Sequence, residues 1–120
     1  MTIGEVSKKY GLTSDTLRYY ERIGLIPYVP RKKNGIRDYD EASCKWVEFV
    51  KCMRAAGVQI EALIEFVELQ QHKETNNERL MEILKDQRKK LIDKMDHLKA
   101  TIDLLDYKIE YFGNKLNIRS

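Results

Sequence analysis

The segment from residue 13 to residue 23 carries side chains that can bind a phosphate-lined groove. At about 100° per residue of helix, Leu17 and Tyr20 point the same way. The opposite side gathers charged and aromatic residues: Asp15, Arg18, Tyr19 and Arg22. Arginine can donate two hydrogen bonds to phosphate or guanine, and tyrosine can donate one to a phosphate oxygen. The pattern therefore predicts a helix whose outer face reads a nucleic acid.

The elements around this segment are typical of a helix-turn-helix. Thr2 and Glu5 form a capping box at the start of a helix that Gly11 ends. Thr13 or Ser14 can cap the next helix, and Gly24 can end it. A helix, a glycine turn and a second helix predict the helix-turn-helix motif, with an ordinary helical hairpin as the alternative.

The stretch after Gly24 predicts a small β wing. Asn34-Gly35 is a preferred pair for a tight hairpin turn, because both residues accept a positive φ. Basic residues crowd the expected tip: Arg31, Lys32, Lys33 and Arg37. A solvated loop is the alternative for such a cluster in isolation. Its position directly after a basic helix favours a phosphate clamp.

Two further helices are expected before residue 72. Asp40 can cap a third helix with a core stripe that ends at Gly57: Ala42, Trp46, Phe49, Val50 and Met53. Residues 60–71 predict a fourth helix with Leu63, Ile64 and Val67 facing inward. The polar segment 72–77 breaks the pattern and predicts an internal boundary.

Residues 77–112 contain no proline or glycine and predict one long helix of about 54 Å. Its residues alternate three and four apart in a heptad seam with one polar member: Met81, Leu84, Arg88, Leu91, Met95, Leu98, Ile102, Leu105, Ile109 and Phe112. A seam this long predicts pairing with a second chain, hence a homodimer. A back-folded hairpin is the alternative. Leu80, Ile83 and Ile92 lie off the seam and are expected to pack on the head.

Composition bounds the class of protein. The 120 residues suit one small domain with an appended element, and the net charge is +3. Residues 1–54 hold 11 Lys and Arg against 7 Asp and Glu, so the positive excess lies beside the predicted reading helix. No apolar run suggests a signal peptide or a membrane span, and we expect no membrane partner and a cytoplasmic location.

Ordered motifs along almost the whole chain resemble the MerR family of bacterial transcription regulators. They are Ile3-Gly-Glu-Val-Ser7, Gly11-Leu-Thr13, Leu17-Arg-Tyr-Tyr-Glu-Arg-Ile-Gly-Leu25, Asn34-Gly-Ile-Arg-Asp-Tyr39 and the closing coiled-coil helix. The resemblance implies a mainly α fold with a winged helix-turn-helix DNA-binding head over 1–72. After the head, the resemblance implies an antiparallel coiled-coil dimerisation helix over 77–112. A short tail over 113–120 follows this helix. It also implies a dimer on a palindromic operator in a long-spacer promoter, which is distorted so that RNA polymerase can use it.

The resemblance also assigns candidate contacts to double-stranded DNA. In the reading segment these are Thr13, Asp15, Arg18, Tyr19 and Tyr20, with Arg31 and Arg37 in the wing and Arg54 on phosphate. The helical face and the basic cluster add Thr16, Arg22 and Lys33. Asp15 departs from the basic residue that related sensors often carry. We expect it to cap its helix or to accept a hydrogen bond from a cytosine amine. Periodicity places Tyr20 inward.

Cysteine usage indicates what the regulator senses. Cys44, Cys52, His72 and His97 share no ligand spacing, so we expect no metal and no cofactor. Cys52 resembles the cysteine of the family's aldehyde- and nitrosative-stress-responsive branch, and we predict that it senses electrophile, aldehyde or redox stress. With Trp46 as reference, Cys52 is expected on the core flank and Cys44 outside. A purely structural Cys52 and a different small-molecule signal are the alternative.

Other classes of protein fit the sequence less well. An enzyme would need a glycine-rich phosphate loop, a nucleophile with its base, or a metal cluster, and none is apparent. A coiled-coil adaptor without a DNA role would suit the long seam but not the basic reading helix. The sequence therefore predicts a DNA-binding regulator that is not an enzyme.

Overall fold

A computed structural model describes residues 1–72 and 77–116. It is mainly helical, as predicted, with five helices in the described ranges: α1 (Ile3–Tyr10), α2 (Ser14–Arg22), α3 (Glu41–Ala55), α4 (Ile60–Gln71) and α5 (Asn77–Lys115). The chain divides into two compact units, Met1–Gln87 and Arg88–Ser120. We call the first unit the head. No described helix is both long enough and apolar enough to cross a bilayer.

Local capping fixes the helix-turn-helix. The Thr2 hydroxyl accepts from the Glu5 N–H at 3.1 Å, and the Thr2 N–H donates to the Glu5 carboxylate at 2.9 Å, which confirms the capping box. Gly11 ends α1 with a φ of 67°, a conformation that side chains with a Cβ adopt at a cost. Thr13, rather than Ser14, caps α2 by accepting from the Thr16 N–H at 3.0 Å.

The predicted β wing is not confirmed. Within the described residues the connection from α2 to α3 contains a single antiparallel bridge, between Arg31 and Arg37, and no regular strand. The turn is set by Gly35, whose N–H donates to the Lys32 carbonyl at 2.9 Å and whose φ is 82°. The expected tight Asn34-Gly35 turn is thus replaced by a three-residue loop that ends at this glycine. We call residues 27–39 the connecting loop.

Helix α3 buries a different stripe from the one predicted. Its buried residues are Ser43, Cys44, Val47 and Val50, so only Val50 of the predicted stripe is fully enclosed. Trp46 and Phe49 are half-buried and form an aromatic cluster with Phe66 of α4, with ring centroids 5.9–6.1 Å apart. Large rings can cover the edge of a core while remaining partly exposed, so Trp46 is a misleading reference for the inward direction.

The head includes the beginning of α5. Leu63 and Val67 of α4 are buried as predicted, whereas Ile64 is only half-buried. Ile83 of α5 is also buried, as its position off the seam predicted. The Arg79 guanidinium forms two hydrogen bonds with the Glu65 carboxylate, at 2.7 and 2.8 Å. With these contacts, the first compact unit runs to Gln87.

The second unit consists of the rest of α5. The helix continues through Gly113 to Lys115, three residues past the expected end at 112, since a glycine inside a helix costs only about 1 kcal/mol. Of the predicted tail, residues 117–120 lie outside the described ranges, as do residues 73–76 of the predicted boundary. The apolar seam members of this unit from 95 onward are exposed on the single chain: Met95, Leu98, Ile102, Leu105, Ile109 and Phe112.

Leu17 anchors α2 in the core, and its truncation tests the packing of the head. Leu17 is fully buried, so Leu17→Ala removes buried methyl groups and leaves a cavity. We expect a loss of about 2–5 kcal/mol in the free energy of unfolding. Urea denaturation followed by Trp46 fluorescence, at one protein concentration, measures it. The exposed Ile36 gives the control, since Ile36→Ala should change stability little. Equal effects would contradict the assigned core.

Candidate nucleic-acid interface

The outer face of α2 brings the predicted charged and aromatic side chains together. Leu17 and Tyr20 are buried beneath it, as their spacing predicted. The Arg22 guanidinium lies 5.5 Å from the centre of the Tyr19 ring, so the two form a cation–π pair at the surface. Arg18 is exposed on the same face. The face is therefore both basic and aromatic.

Asp15 forms an ion pair on this face. The Asp15 carboxylate accepts from the Arg18 guanidinium at 2.9 Å, and its side chain is 95% exposed. The expectation that Asp15 caps its helix is wrong, because Thr13 occupies the N-cap. Thr13 also donates its hydroxyl hydrogen to the Thr16 hydroxyl at 2.8 Å. Asp15 thus holds Arg18 in place and keeps acceptor capacity toward the solvent.

A single carboxylate joins α2 to the connecting loop. Glu21 accepts from Arg37 Nε at 2.7 Å and from Arg31 at 3.2 and 3.3 Å. It also accepts from the Val29 N–H at 2.6 Å. Only 6% of the Glu21 side chain is exposed, whereas the two arginines keep about a quarter of theirs exposed. We call these four residues the Glu21 clamp.

The clamp has a defined electrostatic balance. Burial raises the pKa of Glu21, but the Val29 N–H, the Arg37 hydrogen bond and the charges of both arginines outweigh it, so the pKa lies below the ordinary 4.5. The neighbouring Tyr39 is almost fully buried, and burial raises its pKa. Glu21 therefore remains ionised at neutral pH and holds two positive charges beside α2.

The remaining candidates differ in their accessibility. Lys33 is exposed at the turn of the connecting loop. Arg54 is exposed and donates to the Val58 carbonyl at 2.7 Å, which fixes its direction near the end of α3. Tyr20 is buried, and this burial raises its pKa while the Arg54 charge opposes the rise. Tyr20 thus belongs to the core, as its periodicity indicated.

The exposure of the two cysteines differs from what the helical wheel predicted. Cys44 is buried, with its Sγ 3.8 Å from the Met1 sulfur, whereas Cys52 is exposed. Both expectations used Trp46 as the reference for the core, and Val47 is the residue that points inward. Cys52 therefore has access to solutes without any motion of the head.

Glu21 was missed by the reasoning from sequence. Its signal was present, because Glu21 follows the buried Leu17 by four residues and so lies beside it on the inward half of α2. An acid there needs basic partners, and the basic loop supplies them. Lys51 was also missed, although its amine donates to the Tyr10 carbonyl at the end of α1.

Neutralising Glu21 tests the clamp. Glu21→Gln leaves two half-buried arginines without their counter-charge, and we expect a loss of about 1–3 kcal/mol in the free energy of unfolding at pH 7. Because the folded pKa is lowered, the carboxylate stabilises the head fully above pH 4.5, and this contribution fades as the pH falls through the folded pKa. Urea denaturation of both proteins from pH 7 to pH 3 should show converging stabilities.

The exposed Asp15 supplies the matched control for this measurement. Asp15→Asn makes the same change of charge outside the clamp and should leave stability within about 0.5 kcal/mol of the original. A constant difference between the Glu21→Gln variant and the unmodified protein across this pH range would contradict the role of the carboxylate charge.

Comparison with known proteins identifies the family. Residues 1–70 match the family model described as MerR HTH family regulatory protein. The chain is 56% identical over 93 residues to the HTH-type transcriptional regulator AdhR of Bacillus subtilis (strain 168), which is 78% of this chain and 66% of that protein. It is 35% identical over 115 residues to the regulator YfmP of the same organism, covering 93% and 82% of the two chains.

Solved structures agree with this assignment. A MerR-family transcriptional regulator from Listeria monocytogenes superposes with a TM-score of 0.92 at 40% identity, covering 97% of this chain and 88% of that one. HiNmlR, a MerR-family regulator lacking the sensor domain and bound to promoter DNA, superposes with a TM-score of 0.84 at 25% identity over 98% and 94% of the chains. The chain therefore belongs to the MerR family and is a DNA-binding transcription regulator, not an enzyme.

Proposed function

We propose that the chain binds a palindromic operator in a long-spacer promoter as a homodimer, distorts it, and responds to electrophile, aldehyde or redox stress through Cys52. The observation that carries the DNA-binding part is the basic, aromatic outer face of α2 beside the Glu21 clamp in one compact head. Because this function requires contact with promoter DNA, we propose that the protein acts in the cytoplasm. RNA polymerase at the promoter is its further proposed partner.

Side chains of α2 read the DNA in this proposal. Arg18 and Arg22 present guanidinium groups at an exposed face, and a guanidinium can bind guanine or phosphate through two nitrogens. Tyr19 and Thr16 add hydroxyl groups beside them, and Thr13 lies at the N-terminus of the helix. Asp15 can accept a hydrogen bond from a cytosine amine. Tyr20 is buried and is not among the proposed contacts.

The connecting loop supplies phosphate contacts on one side of the reading helix. Arg37 uses Nε for Glu21, and among the described residues its two terminal nitrogens have no hydrogen bond. These nitrogens can donate to a phosphate oxygen while the clamp remains closed. Arg31, Lys33 and Arg54 provide further positive charge. Glu21 thus orders the loop before binding, which lowers the entropy lost on the DNA.

The second unit supports the proposed dimer. Its exposed apolar seam would remain in water on an isolated chain, and pairing with a second copy covers it. An antiparallel coiled coil separates two reading helices, as a palindromic operator requires. Distortion of the promoter costs on the order of several kcal/mol, and the phosphate contacts of two connecting loops offset it.

The position of Cys52 supports the proposed signal. The thiol is exposed on α3, one residue after Lys51, whose amine donates to the Tyr10 carbonyl at the end of α1. A cysteine in contact with solvent can meet a small electrophile, and the thiolate is its reactive form. An adduct there lies close to the contact between α3 and the helix-turn-helix.

Removing Arg18 tests the reading face. We expect Arg18→Ala to weaken binding to an operator selected by the protein from random duplexes, and to lower the slope of log K against log salt by about 1. Electrophoretic mobility shifts over a salt series measure both quantities. Lys45→Ala is the matched control, because Lys45 on α3 also forms an exposed ion pair, with Glu41. An unchanged affinity and slope for Arg18→Ala would remove this residue from the interface.

Removing the thiol tests the signal. Transcription from the selected operator is compared with and without formaldehyde for the unmodified protein, Cys52→Ala and Cys44→Ala. We expect the response to disappear only in Cys52→Ala, since Cys44 is buried. An unchanged response in Cys52→Ala would favour the alternative, a regulator with another small-molecule signal and a structural Cys52.

A further inference from the structure

The surface around Cys52 contains amines as well as the thiol. An open depression of about 450 Å³ is lined by Lys9, Tyr10, Glu48, Lys51, Cys52 and Ala55. Its wall comes from the last turn of α1 and the second half of α3. A thiol and a lysine amine from two different helices thus border the same small space, which can hold a molecule of a few heavy atoms.

The two lysines of this depression have different roles. The Lys51 amine donates to the Tyr10 carbonyl and lies 3.9 Å from the point where a Cβ on Gly11 would stand. It therefore holds the end of α1 against α3. The Lys9 amine lies 5.4 Å from the centre of the Tyr10 ring and belongs to an exposed side chain. Lys9 is thus the amine that can move toward Cys52.

We propose that Lys9 completes the electrophile site, so that a small aldehyde becomes bound to both Cys52 and Lys9. This inference rests on the proposed reaction of Cys52 with aldehydes. The product is an N,S-acetal, in which the former carbonyl carbon is bonded to Cys52 Sγ and to Lys9 Nζ. Lys51 acts as a positioning residue because it keeps the α1 end, and therefore Lys9, beside the thiol.

The reaction balances without any change of oxidation state. The Cys52 thiolate adds to the carbonyl carbon, the carbon–oxygen π bond breaks, and the oxygen takes up a proton to give a hemithioacetal. The neutral Lys9 amine then forms the carbon–nitrogen bond while the hydroxyl group leaves as water. The nitrogen releases one proton. One thiol, one aldehyde and one amine thus yield the bridge and one water molecule.

The bridge gives the signal two properties that a thiol adduct alone lacks. It joins α1 to α3 covalently, and α1 leads through Gly11 and Thr13 directly into the reading helix. It also slows the loss of the aldehyde, because an amine held beside the carbon recaptures it before it diffuses away. Simple monofunctional alkylating agents cannot form such a bridge, so the bridged product is specific to carbonyl compounds.

Peptide mapping of the full-length protein treated with formaldehyde tests the proposal. In the unmodified protein we expect the Lys9 and Cys52 peptides to be joined, with the added mass of one formaldehyde less one water. Lys9→Arg keeps the charge and should show only the unbridged Cys52 adduct, which is lost about tenfold faster after dilution. Lys8→Arg is the matched control on the same helix and should behave like the unmodified protein. Lys51→Met should lower the yield of the bridge.

The outcomes separate this inference from the proposed function. A Cys52 adduct that forms in the unmodified protein without loss of water, or that is joined to another amine, overturns the role of Lys9 and leaves Cys52 as the sensor. The absence of any formaldehyde adduct on Cys52 overturns the sensor role itself and the bridge with it. Equal adduct lifetimes in Lys9→Arg and the unmodified protein also contradict the bridge.

Discussion

The geometry of the proposed interface depends on one buried carboxylate. Glu21 removes its own charge from water, and this is favourable only because two guanidinium groups and one backbone N–H surround it. The connecting loop has a single β-bridge and no regular strand among its described residues, so backbone pairing alone gives it little order. The clamp supplies that order from α2, and the direction of the loop arginines follows from the position of the reading helix.

Helix α2 therefore contacts the core on one side and the connecting loop on another, and its third side is exposed. Leu17 and Tyr20 fix it in the core, Glu21 fixes the connecting loop, and Arg18 and Arg22 remain exposed. A reading helix that is anchored on two sides loses little entropy when it enters a groove. The arrangement also explains how residues 1–54, which hold 11 Lys and Arg against 7 Asp and Glu, accommodate a buried acid beside two arginines. The acid neutralises repulsion between arginines that would otherwise push the loop away from the helix.

Sequence reasoning predicted three helix caps correctly and missed contacts between residues that are distant in the chain. The caps at Thr2, Thr13 and Asp40 depend on residues three positions away, and all three are present. The stripe of α3 was wrong because Trp46 was taken as central, although its ring lies at the edge of the core against Phe66. Glu21 was missed because its partners lie 10 and 16 residues further along the chain. The spacing of Glu21 from Leu17 indicates its inward position but does not identify these partners.

The path from Cys52 to the reading helix is short in this fold. Lys51 joins α3 to the Tyr10 carbonyl, Gly11 turns the chain in a left-handed conformation, and Thr13 starts α2. A displacement of the α1 end would be absorbed by this tight turn only at the cost of its hydrogen bonds, so α2 must follow. A modification at Cys52 can therefore act within the head itself. In the proposed function, a modification at Cys52 reaches the reading surface through the few contacts between α1, α2 and α3.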